Sequence, residues 1–240
     1  MKNSTRDIFA TTRWTIVLKV GGLSEGATAT AWQQLCKIYW YPLYVYARRA
    51  VTSREDAEDI VQGFLSSLFE YHDFTKLTPV KGRFRAYLLA ALKHYISHER
   101  LKAGALKRGG KSPALSLDWE VAGRKYELMD TLARSPDEIY DREWALALLQ
   151  NVLERLKAEW KERDRESLFL ILQVFLTVDK DAAPYAETAV RHGFSETYLR
   201  VNTHRLRKRY RELLREEISQ TLENSEMVED EIRALFRAFS

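Results

Sequence analysis

Residues 185–211, YAETAVRHGFSETYLRVNTHRLRKRYR, carry the spacing of a helix-turn-helix. Ala189 lies four residues before Gly193, and Leu199 lies six residues after that glycine. The motif needs a small residue where two helices nearly touch, a glycine with positive φ in the tight turn and an apolar anchor on the second helix. Ser195 is placed to cap that second helix. The stretch therefore predicts two helices joined by a sharp turn.

The second of these helices is strongly basic. Residues 200–211 contain six Arg or Lys and no acidic residue. Cations concentrated on a helix that is placed to enter a major groove are typical of DNA binding. The alternative is an ordinary helical hairpin with a solvated basic face.

Apolar residues recur at helical spacing through most of the chain. Three stripes are predicted to close into an antiparallel bundle. Ser53 and Ser135-Pro136 carry the signals of helix starts, and residues 168–178 are apolar nearly all round, which predicts a buried helix. The stripes comprise Trp32, Leu35, Cys36, Tyr39 and Leu43; Ala57, Ile60, Val61, Phe64, Leu65 and Leu68; and Phe84, Tyr87, Leu88, Ala91, Leu92, Tyr95 and Ile96.

The fold class follows from composition and punctuation. With 240 residues, only 10 Gly and 5 Pro, a turn-rich β fold is disfavoured, and we predict an all-α protein of two helical domains joined by a flexible linker. A glycine-containing basic break at 107–113 separates the two blocks. The predicted parts are an N-terminal extension (1–24), a helical bundle (25–105), a linker (106–135), a helix-turn-helix domain (136–220) and a C-terminal helical extension (221–240).

Two further charge clusters lie in the first block. Residues 81–111 hold nine Arg or Lys against Glu99 alone, with aromatic residues between them. Cations that follow phosphates and rings that stack on bases are typical of single-stranded DNA binding, although the rings also suit a core. Just upstream, residues 55–59 hold four acidic residues, which suggest either a separate protein-facing surface or an ordinary solvated face.

Residues 56–65, DAEDIVQGFL, resemble a signature in the second conserved region of bacterial sigma factors. Residues 82–89, GRFRAYLL, resemble the part of that region that melts and reads promoter DNA, and the helix-turn-helix resembles the fourth region. Because no third region intervenes, residues 8–235 resemble the extracytoplasmic-function (group IV) class of the sigma-70 family. Four further stretches resemble a planctomycete-type subgroup of this class: residues 9–14 (FATTRW), 39–44 (YWYPLY), 81–85 (KGRFR) and 107–110 (KRGG).

This resemblance implies a promoter-specificity subunit that binds core RNA polymerase through its beta and beta-prime subunits, recognises the minus-35 and minus-10 promoter elements and helps to open DNA. The core-binding residues it implies are Asp56, Glu58, Asp59 and Gln62. The minus-10 residues it implies are Arg83, Arg85, Tyr87, Lys93, His94 and His98. The minus-35 residues it implies are Thr197, Arg200, Val201, His204, Arg205, Arg207 and Lys208, with Arg205, Arg207 and Lys208 on phosphates. An anti-sigma factor or other regulator is left open as a further partner.

No motif predicts catalysis, a cofactor or a metal site. Residues 104–112 (GALKRGGKS) imitate a phosphate loop with the wrong glycine spacing, and His94 and His98 have no third metal ligand in sequence. A single cysteine and the absence of a targeting or membrane segment predict a cytoplasmic protein with no membrane partner. The alternatives are a stand-alone helix-turn-helix regulator and a sigma-like protein that sequesters a partner.

The C-terminal extension allows two interpretations. Its apolar residues at helical spacing favour a terminal helix that packs on the second domain. The second interpretation is a regulatory flap, in which acidic residues cover a basic DNA-binding face. Those residues are Glu226, Glu229, Asp230 and Glu231.

Overall fold

A computed structural model describes residues 25–71, 83–103, 117–129, 134–178, 184–222 and 225–239. The regular structure in these ranges is helical, which confirms the all-α prediction, and extended pairing there is limited to a bridge between Arg83 and Leu222. The α-helices of the described residues are α1 (Glu25–Ala50), α2 (Arg54–Tyr71), α3 (Phe84–Ala103), α4 (Trp119–Glu127), α5 (Pro136–Lys161), α6 (Glu166–Leu172), α7 (Tyr185–His192), α8 (Glu196–Ser219) and α9 (Val228–Arg237).

Contacts divide the chain into two compact units. Of the described residues, the first unit comprises those up to Ala147 and those from Ile218 onward, and the second comprises those between Leu148 and Glu217. The start of α5, the end of α8 and all of α9 therefore belong to the first unit. This division differs from the predicted boundaries at 135/136 and 220/221, because both α5 and α8 contribute residues to each unit.

Helices α1, α2 and α3 supply much of the core of the first unit. Most members of the three predicted stripes are buried, and Ile60, Leu68, Ala91 and Tyr95 are half-buried. The Trp32 side chain lies outside what the structure describes. Gly63 marks a close approach of α2 and α3, since a Cβ there would lie 2.5 Å from the Tyr95 hydroxyl oxygen. A larger residue at this position would require the Tyr95 ring to move.

The predicted linker contains a helix, α4, which packs on α1. Asp118 caps it by accepting a hydrogen bond from the Val121 N–H at 3.0 Å. The Trp119 ring meets Trp40 edge-on at 5.6 Å between centroids, and the carbonyl of Trp119 accepts a hydrogen bond from Arg54 at 2.9 Å. A wholly flexible linker is therefore wrong for residues 117–129; residues 106–116 and 130–133 lie outside the described ranges.

The second unit is built on the later part of α5, on α6 and α7, and on most of α8. Its core includes Val152, Leu156, Phe169, Phe175 and Leu206. The prediction that residues 168–178 form a helix buried all round is wrong. Helix α6 ends at Leu172, a 3-10 turn covers Gln173–Leu176, and the side chains of Leu170 and Val174 are exposed.

Helix α5 begins with a complete capping box, as Ser135-Pro136 predicts. The Glu138 N–H donates to Ser135 Oγ at 3.3 Å, and the Glu138 carboxylate accepts from the Ser135 N–H at 2.7 Å. These bonds from the backbone and hydroxyl of Ser135 lower the pKa of Glu138.

None of the helices in the described ranges is long and apolar enough to span a bilayer.

Candidate nucleic-acid interface

The turn between α7 and α8 has the geometry that the sequence predicts. Gly193 ends α7 in the left-handed region, with φ 69° and ψ 28°. The Phe194 N–H donates to the Ala189 carbonyl at 3.0 Å, and the Tyr198 N–H donates to Ser195 Oγ at 3.1 Å. The predicted positive-φ glycine and serine cap are both confirmed.

Helix α8 presents a mostly exposed polar face. Arg200 is exposed, forms an ion pair with Glu196 at 2.6 Å between Nη2 and Oε1, and lies over the Tyr185 ring at 4.5 Å. The other predicted minus-35 residues that are exposed are Thr197, Val201, His204, Arg205 and Lys208.

Arg207 differs from the other predicted minus-35 residues because its side chain is used inside the second unit. Its guanidinium is half-buried and donates to the Phe175 carbonyl at 2.6 Å and to the Val178 carbonyl at 2.5 Å. Those carbonyls belong to the end of the helical segment that contains α6, where unpaired acceptors need donors. The structure therefore gives Arg207 a structural role that the sequence did not predict.

Two polar residues of α8 face the core. Asn202 is buried and its Nδ2 donates to the Tyr198 carbonyl at 2.8 Å. Thr203 is 1% exposed, and its Oγ1 has no hydrogen-bond partner in the described part of the chain. An unpaired buried hydroxyl lowers stability by about 1–3 kcal/mol.

The predicted minus-10 residues of the first unit differ in how exposed they are and in whether they already have a partner within the protein. His94 and His98 are exposed on α3. Lys93 donates to Asp137 at 2.7 Å, which raises the Lys93 pKa. Tyr87 is buried, and burial raises its pKa to about 12, so the ring belongs to the core and remains protonated.

Arg83 and Arg85 meet at one carboxylate, that of Glu231 on α9. The Arg85 Nε lies 2.5 Å and the Arg83 Nε 3.3 Å from it. Arg85 also pairs with Asp141 and lies over the Trp144 ring at 4.7 Å. Burial opposes the charge of Arg85, but hydrogen bonds and charge from Glu231 outweigh it and raise the Arg85 pKa.

Helix α2 carries an acidic face near its start. Asp56 and Asp59 are exposed, and neither has an ion pair among the described residues. Glu58 is half-buried and bonded to Arg54 at 2.6 Å, and Gln62 is half-buried. The predicted helix start is confirmed, because the Asp56 N–H donates to Ser53 Oγ at 3.0 Å.

The sequence missed three features near the basic surfaces. The sequence did not indicate that Asp141 pairs with Arg85, nor which of the four C-terminal acidic residues does so, because these partners lie on distant helices. A cleft of about 950 Å³ in the second unit is lined by Arg200, His204, Arg207 and Arg211, among others. Phe194 and Tyr198 stack at 5.2 Å between centroids while both stay exposed, a pairing that their i, i+4 spacing across the turn could have suggested.

In comparisons with known proteins, no family model, no curated protein and no solved structure matches this chain significantly.

Proposed function

We propose that this chain is a group IV sigma factor, a cytoplasmic promoter-specificity subunit with no catalytic activity of its own. The observation that carries the proposal is the exposure of Asp56 and Asp59, unpaired among the described residues, within the sigma-like stretch DAEDIVQGFL. Carboxylates left open at the start of a helix that otherwise packs well are available to a cationic protein surface.

The core polymerase docks on α2 through these carboxylates. Exposed charges at an interface steer association and set partner choice more than they add affinity. Glu58 already has an intramolecular partner in Arg54, so Asp56 and Asp59 make the more important contacts. An anti-sigma protein would compete for the same face.

The helix-turn-helix reads the minus-35 element. Arg200 has a flexible exposed side chain with a planar guanidinium, which suits the two acceptors of a guanine in the major groove. Its present partner, Glu196, is one turn away on the same exposed face and can be exchanged for a base at small cost. Arg205 and Lys208 supply phosphate contacts.

The first unit holds the opened minus-10 strand along α3. Its cations neutralise phosphates, and the exposed His94 and His98 offer rings on which an unstacked base can lie. Flipping a base out of the stack costs a few kcal/mol, and contacts between that base and the protein must offset this free energy. Tyr87 supports this surface from the core rather than touching the bases.

Co-purification with bacterial core RNA polymerase, followed by run-off transcription on genomic fragments, tests the proposal. A sigma factor binds core and directs transcripts from discrete starts, while the free protein binds duplex DNA weakly. Tight binding of a palindromic duplex by a dimer alone would identify a stand-alone regulator. Core binding without transcripts from any template would identify a sequestering protein.

A further inference from the structure

The C-terminal segment closes over the start of α3 through a buried carboxylate. The Glu231 side chain is 2% exposed, and it faces two of the arginines assigned above to the minus-10 strand. Arg85 contributes Nε at 2.5 Å and Nη2 at 3.5 Å, and Arg83 contributes Nε at 3.3 Å. An acid so enclosed by guanidinium groups is their counter-ion rather than a surface charge.

Main-chain and apolar contacts hold the same segment in place. The Phe84 N–H donates to the Thr221 carbonyl at 3.2 Å, beside the bridge between Arg83 and Leu222. Leu222 and Leu235 are both buried. The first turn of α3 is therefore bonded to residues 221–222 and covered by α9, although Arg85 and Glu231 lie 146 residues apart in the sequence.

Arg85 is occupied by partners within the protein in this arrangement, whereas the Arg83 side chain stays 29% exposed. The Arg85 side chain is 12% exposed and has Glu231, Asp141 and the Trp144 ring as partners. Phosphate oxygens offer a guanidinium the same paired acceptors as a carboxylate. A phosphate of a nucleic-acid strand can thus replace the Glu231 carboxylate and keep Arg85 paired. If Glu231 moved away with no replacement, the largely buried charge of Arg85 would lose a counter-ion.

A cleft of about 510 Å³ adjoins this ion pair and is lined by Arg83, Arg85, Arg134 and Arg237 together with Glu138 and Asp141. Arg237 is on α9, one and a half turns beyond Glu231, and is exposed. The basic residues that surround the ion pair of Arg85 and Glu231 therefore include one residue of α9 itself. Phosphates that reach this cleft meet the arginines at the edge of the α9 contact.

We propose that residues 218–222 and 225–239 form an autoinhibitory clasp, in which Glu231 occupies the single-stranded DNA surface of Arg83 and Arg85 until an opened strand displaces it. The inference rests on the proposed function, since it takes the minus-10 strand as the ligand. Free protein then binds single strands weakly, because its affinity is reduced by the small fraction of molecules in which the clasp is open.

Glu231→Gln is the test variant, because glutamine keeps the volume and an acceptor oxygen but removes the charge. The probe is a fluorescent, mixed-sequence single-stranded DNA of about 20 nucleotides, titrated at several salt concentrations. We expect E231Q to bind about tenfold more tightly at low salt than the unmodified chain. Its logarithmic salt dependence should match that of the unmodified chain, since the bound strand contacts the same two arginines in both proteins and only the free energy of opening the clasp differs.

Asp230→Asn is the matched control. Asp230 is the neighbouring acid on α9, is exposed and pairs with Arg233 of the same helix. It loses the same charge without opening the ion pair, so D230N should bind DNA within about twofold of the unmodified chain. An equal gain in both variants would reflect net charge alone and would overturn the clasp.

Hydrogen exchange on the unmodified full chain provides a second measurement that needs no substitution. Saturating the chain with the same DNA should speed exchange in peptides that cover α9, because an opened clasp loses both the ion pairs of Glu231 and the packing of Leu235. Bound DNA with unchanged protection of α9 would overturn the proposal. So would equal affinity of E231Q and the unmodified chain, which would make Glu231 a purely structural ion pair.

Core polymerase binding separates this proposal from the proposed function. The clasp does not touch Asp56 or Asp59, so E231Q should co-purify with core as the unmodified chain does. Core binding without any gain in DNA affinity would reject the clasp alone. Tighter DNA binding without core binding would reject the sigma assignment and leave the clasp standing.

Discussion

At the scale of single residues, the burial of neighbouring side chains on α8 does not follow their polarity. Asn202 and Thr203 are polar yet buried, while Val201 is apolar yet 44% exposed. Rotation around the helix axis decides each case: positions 199, 202, 203 and 206 face the core, and 200, 201, 204 and 205 face outward. The exposed set coincides with residues predicted to face DNA.

Thr203→Val should raise the free energy of unfolding by about 1 kcal/mol, because valine removes a buried hydroxyl that has no partner in the described chain. Thr221→Val is the control, since its hydroxyl donates to the Ile218 carbonyl at 2.8 Å and its loss should lower stability by about 1 kcal/mol. Urea unfolding followed by circular dichroism measures both. A loss of stability in T203V would mean that the hydroxyl is satisfied.

Arg200→Ala should weaken binding to one or two specific base pairs by about 1–3 kcal/mol, because a guanidinium on a guanine edge is lost. Lys208→Ala should weaken all sequences about equally, as expected of a phosphate contact. Binding of both variants to a randomised duplex library, in complex with core polymerase, distinguishes the two patterns. A uniform loss for R200A would reassign that residue to the backbone.

At the scale of elements, local signals specify where helices start and turn. Ser53, Ser135 and Ser195 each accept a backbone hydrogen bond at a predicted helix start. The turn after α7 depends on Gly193, which adopts a conformation that side chains with a Cβ disfavour. These features are short-range, and the sequence alone predicts them correctly.

Gly193→Ala should destabilise the second unit by about 1–2 kcal/mol. An added Cβ would meet nothing within 4 Å, so the whole effect comes from backbone conformation at φ 69°. Gly193→Asn should lose less, because asparagine tolerates the left-handed region. Urea unfolding of the two variants gives the comparison, and equal stability of G193A and the unmodified chain would contradict it.

Element ends that depend on packing were harder to predict. Residues 168–178 are apolar on all sides, yet the helix ends at Leu172 and leaves Leu170 and Val174 exposed. The segment that reads as a linker forms α4, because Trp119 and Tyr126 pack beside Tyr44 of α1. In both places, contacts with distant elements decide the result.

At the scale of the whole molecule, charge is segregated although the net charge is only +4. An acidic face lies at the start of α2, and basic residues lie along α3 and α8. Part of the basic face of α3 is neutralised within the first unit by Asp137, Asp141 and Glu231. On α2, Asp56 and Asp59 are exposed without an ion pair among the described residues.

Asp59→Arg should reduce co-purification with core RNA polymerase by at least tenfold, because it reverses an exposed charge in the proposed interface. Stability should change by no more than about 0.5 kcal/mol, since Asp59 is exposed and no ion pair is lost in the described ranges. Glu162→Arg, an equal reversal at an exposed site in the second unit, is the control and should bind core normally. Unchanged core binding by D59R would reject this interface.

The packing partners of the terminal helix depend on the tertiary structure of the whole molecule. Its helical period was predicted correctly. The C-terminal segment belongs to the first unit, where it contacts α3 and also the start of α5, the part of the predicted second domain that this unit contains. The acidic residue that pairs with the basic surface is Glu231, one of four considered from sequence. Charge alone could not choose among them, because burial depends on how α9 lies against α3 and α5.

The amino-acid sequence by itself determined the helical class, the helix-turn-helix with its glycine and serine, and the positions of the acidic and basic clusters, because periodicity, capping and turn preferences act over a few residues. Only the tertiary structure decided that Arg83 and Arg85 share the buried carboxylate of Glu231, that Arg207 serves two carbonyls, and that Tyr87 belongs to the core. Each of these outcomes requires groups far apart in the chain to meet at hydrogen-bonding or van der Waals distance, and no local pattern encodes that meeting.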